Sequence, residues 1–109
     1  MNLGDLPLGL TDWSQIPESV HPGAPGTATV RSRQLGDIQL RLLVYSPNYV
    51  ADHRCQKGHI VYVIQGQVVT EHRETTNYTL ESGTTYHVPD NGPPHRAVSH
   101  GGATVFIVD

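Results

Sequence analysis

After Ala28 no segment of this chain reads as a helix of ten or more residues. "DIQLRLLVYS", "HIVYVI", "QVVTEHRE", "NYTLE", "TTYHVP", "HRAVSH" and "ATVFIV" are short, rich in β-branched and aromatic residues, and separated by turns containing Gly, Asn, Pro or Ser. Such segments, recurring at roughly 8–12-residue spacing, are the pattern of an all-β sandwich or barrel. The alternation in "DIQLRLLVYS" places Ile38, Leu40, Leu42 and Val44 on one face. "HIVYVI" is apolar on both faces, with Val61 and Val63 on one and Ile60, Tyr62 and Ile64 on the other. The outward face of a lone barrel strand should be polar. Something must therefore cover it, and "TVFIV" near Asp109 raises the same requirement. A docked N-terminal arm and a second subunit are the two candidates, and the reading favours a homodimer.

The first 27 residues behave differently. Pro7, Pro17, Pro22 and Pro25 cannot donate to a ladder, and Gly4, Gly9, Gly23 and Gly26 raise the entropy cost of ordering. This stretch is expected to be an extended arm with one short helical turn at "TDWSQIPE". Thr11 or Asp12 would cap that turn and Pro17 would stop it. Trp13, the single Trp, would dock the arm on the body. The expected organisation is an arm over residues 1–27 and one β-barrel domain over residues 28–109. A chain of 109 residues has room for one hydrophobic core.

Composition narrows the function classes. A formal net charge of -3 and the absence of an Arg/Lys run argue against a nucleic-acid partner. No run of about 18 apolar residues offers a membrane span, and "MNLGDLPLGLTDW" lacks the basic and apolar regions of a signal peptide. The single cysteine excludes an internal disulfide and suits a reducing cytoplasm.

That cysteine stands in "DHRCQKGHIVYVIQG" between two histidines. Side chains at i and i+2 of a strand share a face. If the segment is extended, His53, Cys55 and His59 share one parity, and Val61 and Val63 continue it toward a barrel interior. Buried and unpaired, such polar groups would cost roughly 1–3 kcal/mol each. One metal ion would satisfy all three. Taken singly, a buried Cys is commonly a small hydrophobe, and a strand His is commonly a hydrogen-bonded structural residue. A fourth His, His95 in "VPDNGPPHR", changes the balance, because a Pro-rich turn delivers one side chain rigidly.

These residues resemble the cupin superfamily. Its first motif is His-x-His, three or four residues, Glu, six residues, Gly. This chain reads His53-x-Cys55, three residues, His59, six residues, Gly66. Its second motif is Gly, five residues, Pro-x-Gly, two residues, His. Here Gly83 and Pro89 fit, Asn91-Gly92 occupies the turn, and His95 arrives one residue late. More narrowly, "ADHRCQKGH", "PHR" and "FIVD" look like the small single-domain DHCW-motif cupin fold proteins, although no Trp flanks Cys55. The resemblance implies a jelly-roll β-barrel and a metal site made by His53, Cys55, His59 and His95. It implies one divalent metal ion per chain. Three imidazoles and a thiolate suit iron or zinc first, with nickel or copper also suited. A closed tetrahedral site would use all four ligands, whereas a larger coordination number would leave a place for substrate.

The expected ligand is a small organic molecule in the barrel mouth. Dioxygenase- and isomerase-type chemistries are common among similar cupins, and Tyr49, Tyr62, Tyr86, Arg41 or Arg96 could orient a substrate. A non-catalytic metal or small-molecule sensor would use the same ligands. A third reading makes Cys55 a nucleophile with His53 or His95 as its base. Of the remaining histidines, His87 is expected to point outward. His72 is expected on a polar strand face or turn, His21 in the arm and His100 beside a Gly-Gly turn. Asp52 is expected to make a structural hydrogen bond.

Overall fold

The computed structural model describes residues 3–109. Met1 and Asn2, assigned above to the arm, lie outside the described residues. The protein is all-β and antiparallel, as the segment pattern predicts. Its strands are β1 (Ser19–Pro22), β2 (Thr27–Leu35), β3 (Ile38–Val50), β4 (His59–His72), β5 (Tyr78–Glu81), β6 (Thr85–Val88) and β7 (His95–Val108). The pairing order is β1-β2-β3-β7-β4-β5, and β6 pairs with β4. β5 and β6 take successive stretches of β4, Gln67–Thr70 and His59–Tyr62. Among the described residues no helix is long and apolar enough to cross a membrane.

Three strands are much longer than the usual five or six residues, because each one bends and serves two parts of the wall. The bends lie side by side. β3 turns at Pro47 and Asn48, where Asn48 has φ 59°. β7 turns at Gly101 and Gly102, and Pro47 pairs with Gly101. β4 turns around Gly66, where the β4–β7 ladder shifts register twice, between Val63 and Gln65 and between Gly66 and Val69. Gly66 has φ +86°, and a Cβ there would stand 2.4 Å from the Gly102 carbonyl oxygen and 2.8 Å from the Ala103 Cα. Only glycine fits that crossing of backbones.

The core lies inside this curl. Val63 and Val105 are fully buried at its centre, with Leu43, Val61, Val68, Leu80, Val88 and Ile107 around them. Each such aliphatic side chain contributes about 1.5–3 kcal/mol by leaving water. Val61 and Val63 face inward, in line with the parity argument. In β3 the apolar face reads the other way. Arg41, Leu43 and Tyr45 line the interior cavity, while Val44 is exposed on the outside. The polar members of that strand turn inward because the interior is a site as well as a core.

Before β1 the chain forms one turn of 3-10 helix, Trp13–Gln15, capped by Asp12, whose Oδ1 accepts from the Ser14 amide. Trp13 meets Phe106 edge-on with ring centroids 6.2 Å apart. Arg31 ties the same stretch down by donating to the Ile16 carbonyl and to Glu18. Val44, Ile60, Tyr62 and Ile64 remain exposed beyond the reach of this cover.

Candidate metal and ligand site

The interior opens into a cavity of about 480 Å³. Its wall is mixed. Leu43, Val61, Val68, Leu80 and Ile107 give apolar surface, and Cys55, His59, His95, Arg41 and Asp109 gather as a polar group.

His59 is the first residue of β4 and His95 the first of β7. Cys55 lies in the connection between β3 and β4 and is stitched to His95 by a two-way bridge. The Cys55 amide donates to the His95 carbonyl at 2.9 Å, and the His95 amide donates to the Cys55 carbonyl at 3.0 Å. This bridge fixes the two side chains next to each other, with Cys55 Sγ 3.5 Å from His95 Nε2. On its other side His95 Nε2 lies 3.1 Å from His59 Nε2. His95 is therefore the hub of a three-residue group.

The hydrogen bonds of this hub fix where its ring proton sits. His95 Nδ1 lies 2.9 Å from the Pro93 carbonyl, which can only accept. In the neutral ring the proton therefore sits on Nδ1, and Nε2 carries a lone pair aimed at Cys55 and His59. Burial, reinforced by His95 and Arg41, pulls the pKa of His59 down to about 4, so this ring is neutral at pH 7. Two imidazoles and a sulfur, in pairwise contact through His95, are ligand types that suit a divalent transition metal. Tetrahedral ligands at ordinary metal distances of about 2.0–2.3 Å stand about 3.3 Å apart for N and N and about 3.6 Å for N and S. The observed edges are close to both. Among the described residues no group of three or more His, Cys, Asp or Glu stands arranged to hold a metal ion. The contacts run through His95 in sequence.

His53 stands apart. Residues 51–58 are irregular apart from the bridge at Cys55, so the i, i+2 argument does not apply across them. The His53 ring is 77% exposed at the cavity rim, with Nδ1 2.6 Å from Asp52 Oδ1. The structural hydrogen bond expected of Asp52 is thus made to His53.

The other histidines fall as follows. His87, His21 and His100 are exposed, although His21 also reaches the cavity mouth. His72, expected on a polar face, is buried. Its Nε2 is 2.8 Å from the Tyr86 hydroxyl, and its ring lies edge-on to Tyr78. The cause is the irregularity around Gly66. Before it the inward residues of β4 are odd-numbered, Val61 and Val63. After it they are even-numbered, Val68, Thr70 and His72. Counting by twos cannot see an inserted residue.

Of the candidate orienting groups, Tyr49, Tyr86, Arg41 and Arg96 line the cavity, whereas Tyr62 lies on the outer surface. Arg96 is held by Glu71 at 2.8 Å. Tyr45 also lines the cavity, stacked on Tyr49 at 4.7 Å. Burial raises the pKa of Tyr45, Tyr49 and Tyr86, so all three phenols stay protonated near neutral pH. Sequence reasoning passed over Tyr45 and Asp109. The signal for Asp109 was a charged residue directly after the apolar run "TVFIV". Its carboxylate is almost completely buried, and Oδ2 accepts from Arg41 Nη2 at 2.6 Å.

No protein-family model matches the chain, and no curated protein matches it in sequence. Comparison of folds is informative. A predicted oxalate decarboxylase from Thermotoga maritima superposes with a TM-score of 0.77 at 13% identity, covering 92% of this chain and 96% of that one. An RmlC-like cupin from Shewanella frigidimarina gives 0.73 at 15% identity, over 95% and 91% of the two chains. A sugar phosphate isomerase of the cupin superfamily from Silicibacter pomeroyi gives 0.71 at 18% identity, over 92% and 74%. The curled sheet, the interior cavity and these likenesses agree with the motif resemblance: the chain has the cupin fold.

Proposed function

We propose that this protein binds one divalent metal ion through Cys55, His59 and His95, and a small organic molecule beside it in the cavity. The observation that supports the reading is that Cys55 Sγ and His59 Nε2 each lie beside His95 Nε2 at the polar end of that cavity. Three protein ligands leave coordination positions free for a ligand oxygen. The metal would supply Lewis acidity toward that oxygen. The chain's own groups do the rest. The apolar wall of Leu43, Val61, Val68 and Ile107 excludes water. The Tyr49 and Tyr86 hydroxyls offer hydrogen bonds, and Tyr86 is oriented by His72. The sugar phosphate isomerase and the predicted oxalate decarboxylase named above carry the names of small oxygen-rich molecules, a class that the Tyr hydroxyls and Arg41 in the wall could bind. Iron and zinc are the metals that fit this donor set first.

Metal analysis of untagged protein tests the reading. Near-stoichiometric metal is expected, lost in Cys55→Ser and His95→Ala and retained in His87→Ala. Metal should also protect Cys55 from iodoacetamide. Rapid alkylation that metal does not slow would favour the alternative in which Cys55 is a nucleophile and His95, 3.5 Å away, its base. Metal retained in Cys55→Ser would remove the thiol from the site.

Two further proposals concern context. The exposed outer face at Val44, Ile60, Tyr62 and Ile64 supports a homodimer, since Trp13 covers only the part near Phe106. A single partly exposed thiol suits a reducing cytoplasm.

A further inference from the structure

β3 carries Arg41 on its cavity side, between Gln39 and Leu43. Across the ladder Arg41 pairs with Ile107 of β7, which pairs in turn with Val61 of β4. All three side chains line the cavity. One row of the barrel interior thus holds two aliphatic side chains and a guanidinium. A charge placed there is costly unless it is paired and hydrogen-bonded.

Its pairing is incomplete. Arg41 Nη2 donates to Asp109 Oδ2 at 2.6 Å, and the Asp109 side chain is 1% exposed. Arginine–carboxylate pairs are frequently bidentate, but this contact is single. A guanidinium has five N–H donors, and this contact uses one. Arg41 Nε is buried with no hydrogen-bond partner, and so is Asp109 Oδ1. A second cation of the wall, Lys57, brings its Nζ to 3.9 Å from Asp109 Oδ1. Two cationic side chains therefore flank one side-chain carboxylate at this end of the cavity. Arg96 differs, because Glu71 takes its Nε at 2.8 Å. Replacing a buried ion pair by apolar residues is often neutral or stabilising, so stability alone does not account for a charge in this row.

We propose that Arg41 anchors the carboxylate of a small organic acid, whose apolar body lies against Leu43, Val61 and Ile107. This names the ligand class of the cavity, and it rests on the reading above for the metal beside that ligand. The anchoring contact itself needs no metal. A carboxylate brings two acceptor oxygens to a guanidinium with N–H donors to spare, and its charge answers the second cation. An uncharged ligand of the same shape does neither.

Calorimetry on metal-free protein with benzoate and benzamide tests the anchor, since the two probes share a ring and only the first is charged. Wild type is expected to bind benzoate about 10–100-fold more tightly. That preference should vanish in Arg41→Gln. If Arg41→Gln, which leaves Asp109 without its cation, does not fold, the double variant Arg41→Gln with Asp109→Asn decides. It removes both charges together and leaves the net charge unchanged. The proposal is overturned if wild type binds the two probes alike or binds neither, or if the folded variant keeps the preference. Phenyl phosphate bound more tightly than benzoate would overturn the carboxylate in favour of a phosphate ester. Metal analysis separates this from the metal reading. A protein that holds no metal yet prefers benzoate through Arg41 loses the metal and keeps the anchor, and one that holds metal but ignores the charge of the probe does the reverse.

Discussion

The hydroxyl of Tyr86 and Nε2 of His72 meet at 2.8 Å inside the barrel, and both belong to the cavity side of the sheet. Removing one partner of a buried hydrogen bond leaves the other unsatisfied, which costs about 1–3 kcal/mol. Tyr86→Phe should therefore lower stability by that amount in urea denaturation, while metal content stays unchanged. The same interior gives a pH dependence. Burial lowers the pKa of His59 to about 4 and that of His72 below its ordinary value of 6.5. Between pH 6.5 and about 4 the unfolded chain thus binds more protons than the folded one. Stability rises with pH wherever that is so. Metal-free protein is expected to lose stability progressively as pH falls through that window, and calorimetry at pH 7, 6 and 5 would show it. A flat profile would mean that neither ring is held neutral by the fold.

The elements show how far the sequence could be read. The β segments, the turns between them and the inward direction of His59, Val61 and Val63 follow from residue type and alternation. His95 follows from its Pro-rich turn, and the helical cap at Asp12 from its position before Trp13. Legibility stops where the backbone departs from period two. His53 lies in an irregular segment and sits at the rim, while His72 comes after the irregularity at Gly66 and turns inward. The burial of Asp109 depends on Arg41, sixty-eight positions earlier, and no local pattern announces that pairing. The bend itself is testable. Gly66→Ala combines a φ of +86° with a 2.4 Å clash against backbone and should cost several kcal/mol. Gly83→Ala has a similar φ but open space around it, and should cost about 1 kcal/mol. Equal losses in thermal denaturation would show that the crossing of β4 and β7 is not what demands glycine.

At the scale of the molecule, the outer sheet face is the least explained surface of a monomer. Ile60, Tyr62 and Ile64 alternate with the buried residues of β4 and are each more than 40% exposed. If a second copy covers them, Tyr62→Glu should give a monomeric mass in sedimentation equilibrium where wild type is dimeric. A wild type that is already monomeric at micromolar concentration would leave the face to solvent and to the Trp13 turn.

The ends of β4 hold a last consequence. Thirteen steps separate His59 from His72, and a straight strand would carry them about 43 Å apart. Yet His95 touches both neighbourhoods, its ring centroid 4.9 Å from that of His59 and 6.0 Å from that of His72. The strand has doubled back on itself, and the imidazoles meet like the two halves of a clasp on a closed bracelet. A clasp fastens last. If the proposed ion is held by His59 and by His95, whose backbone pairs with His72, it would tie one end of the strand to the neighbour of the other, so loss of the ion and springing open of the curl should be kinetically one event rather than two.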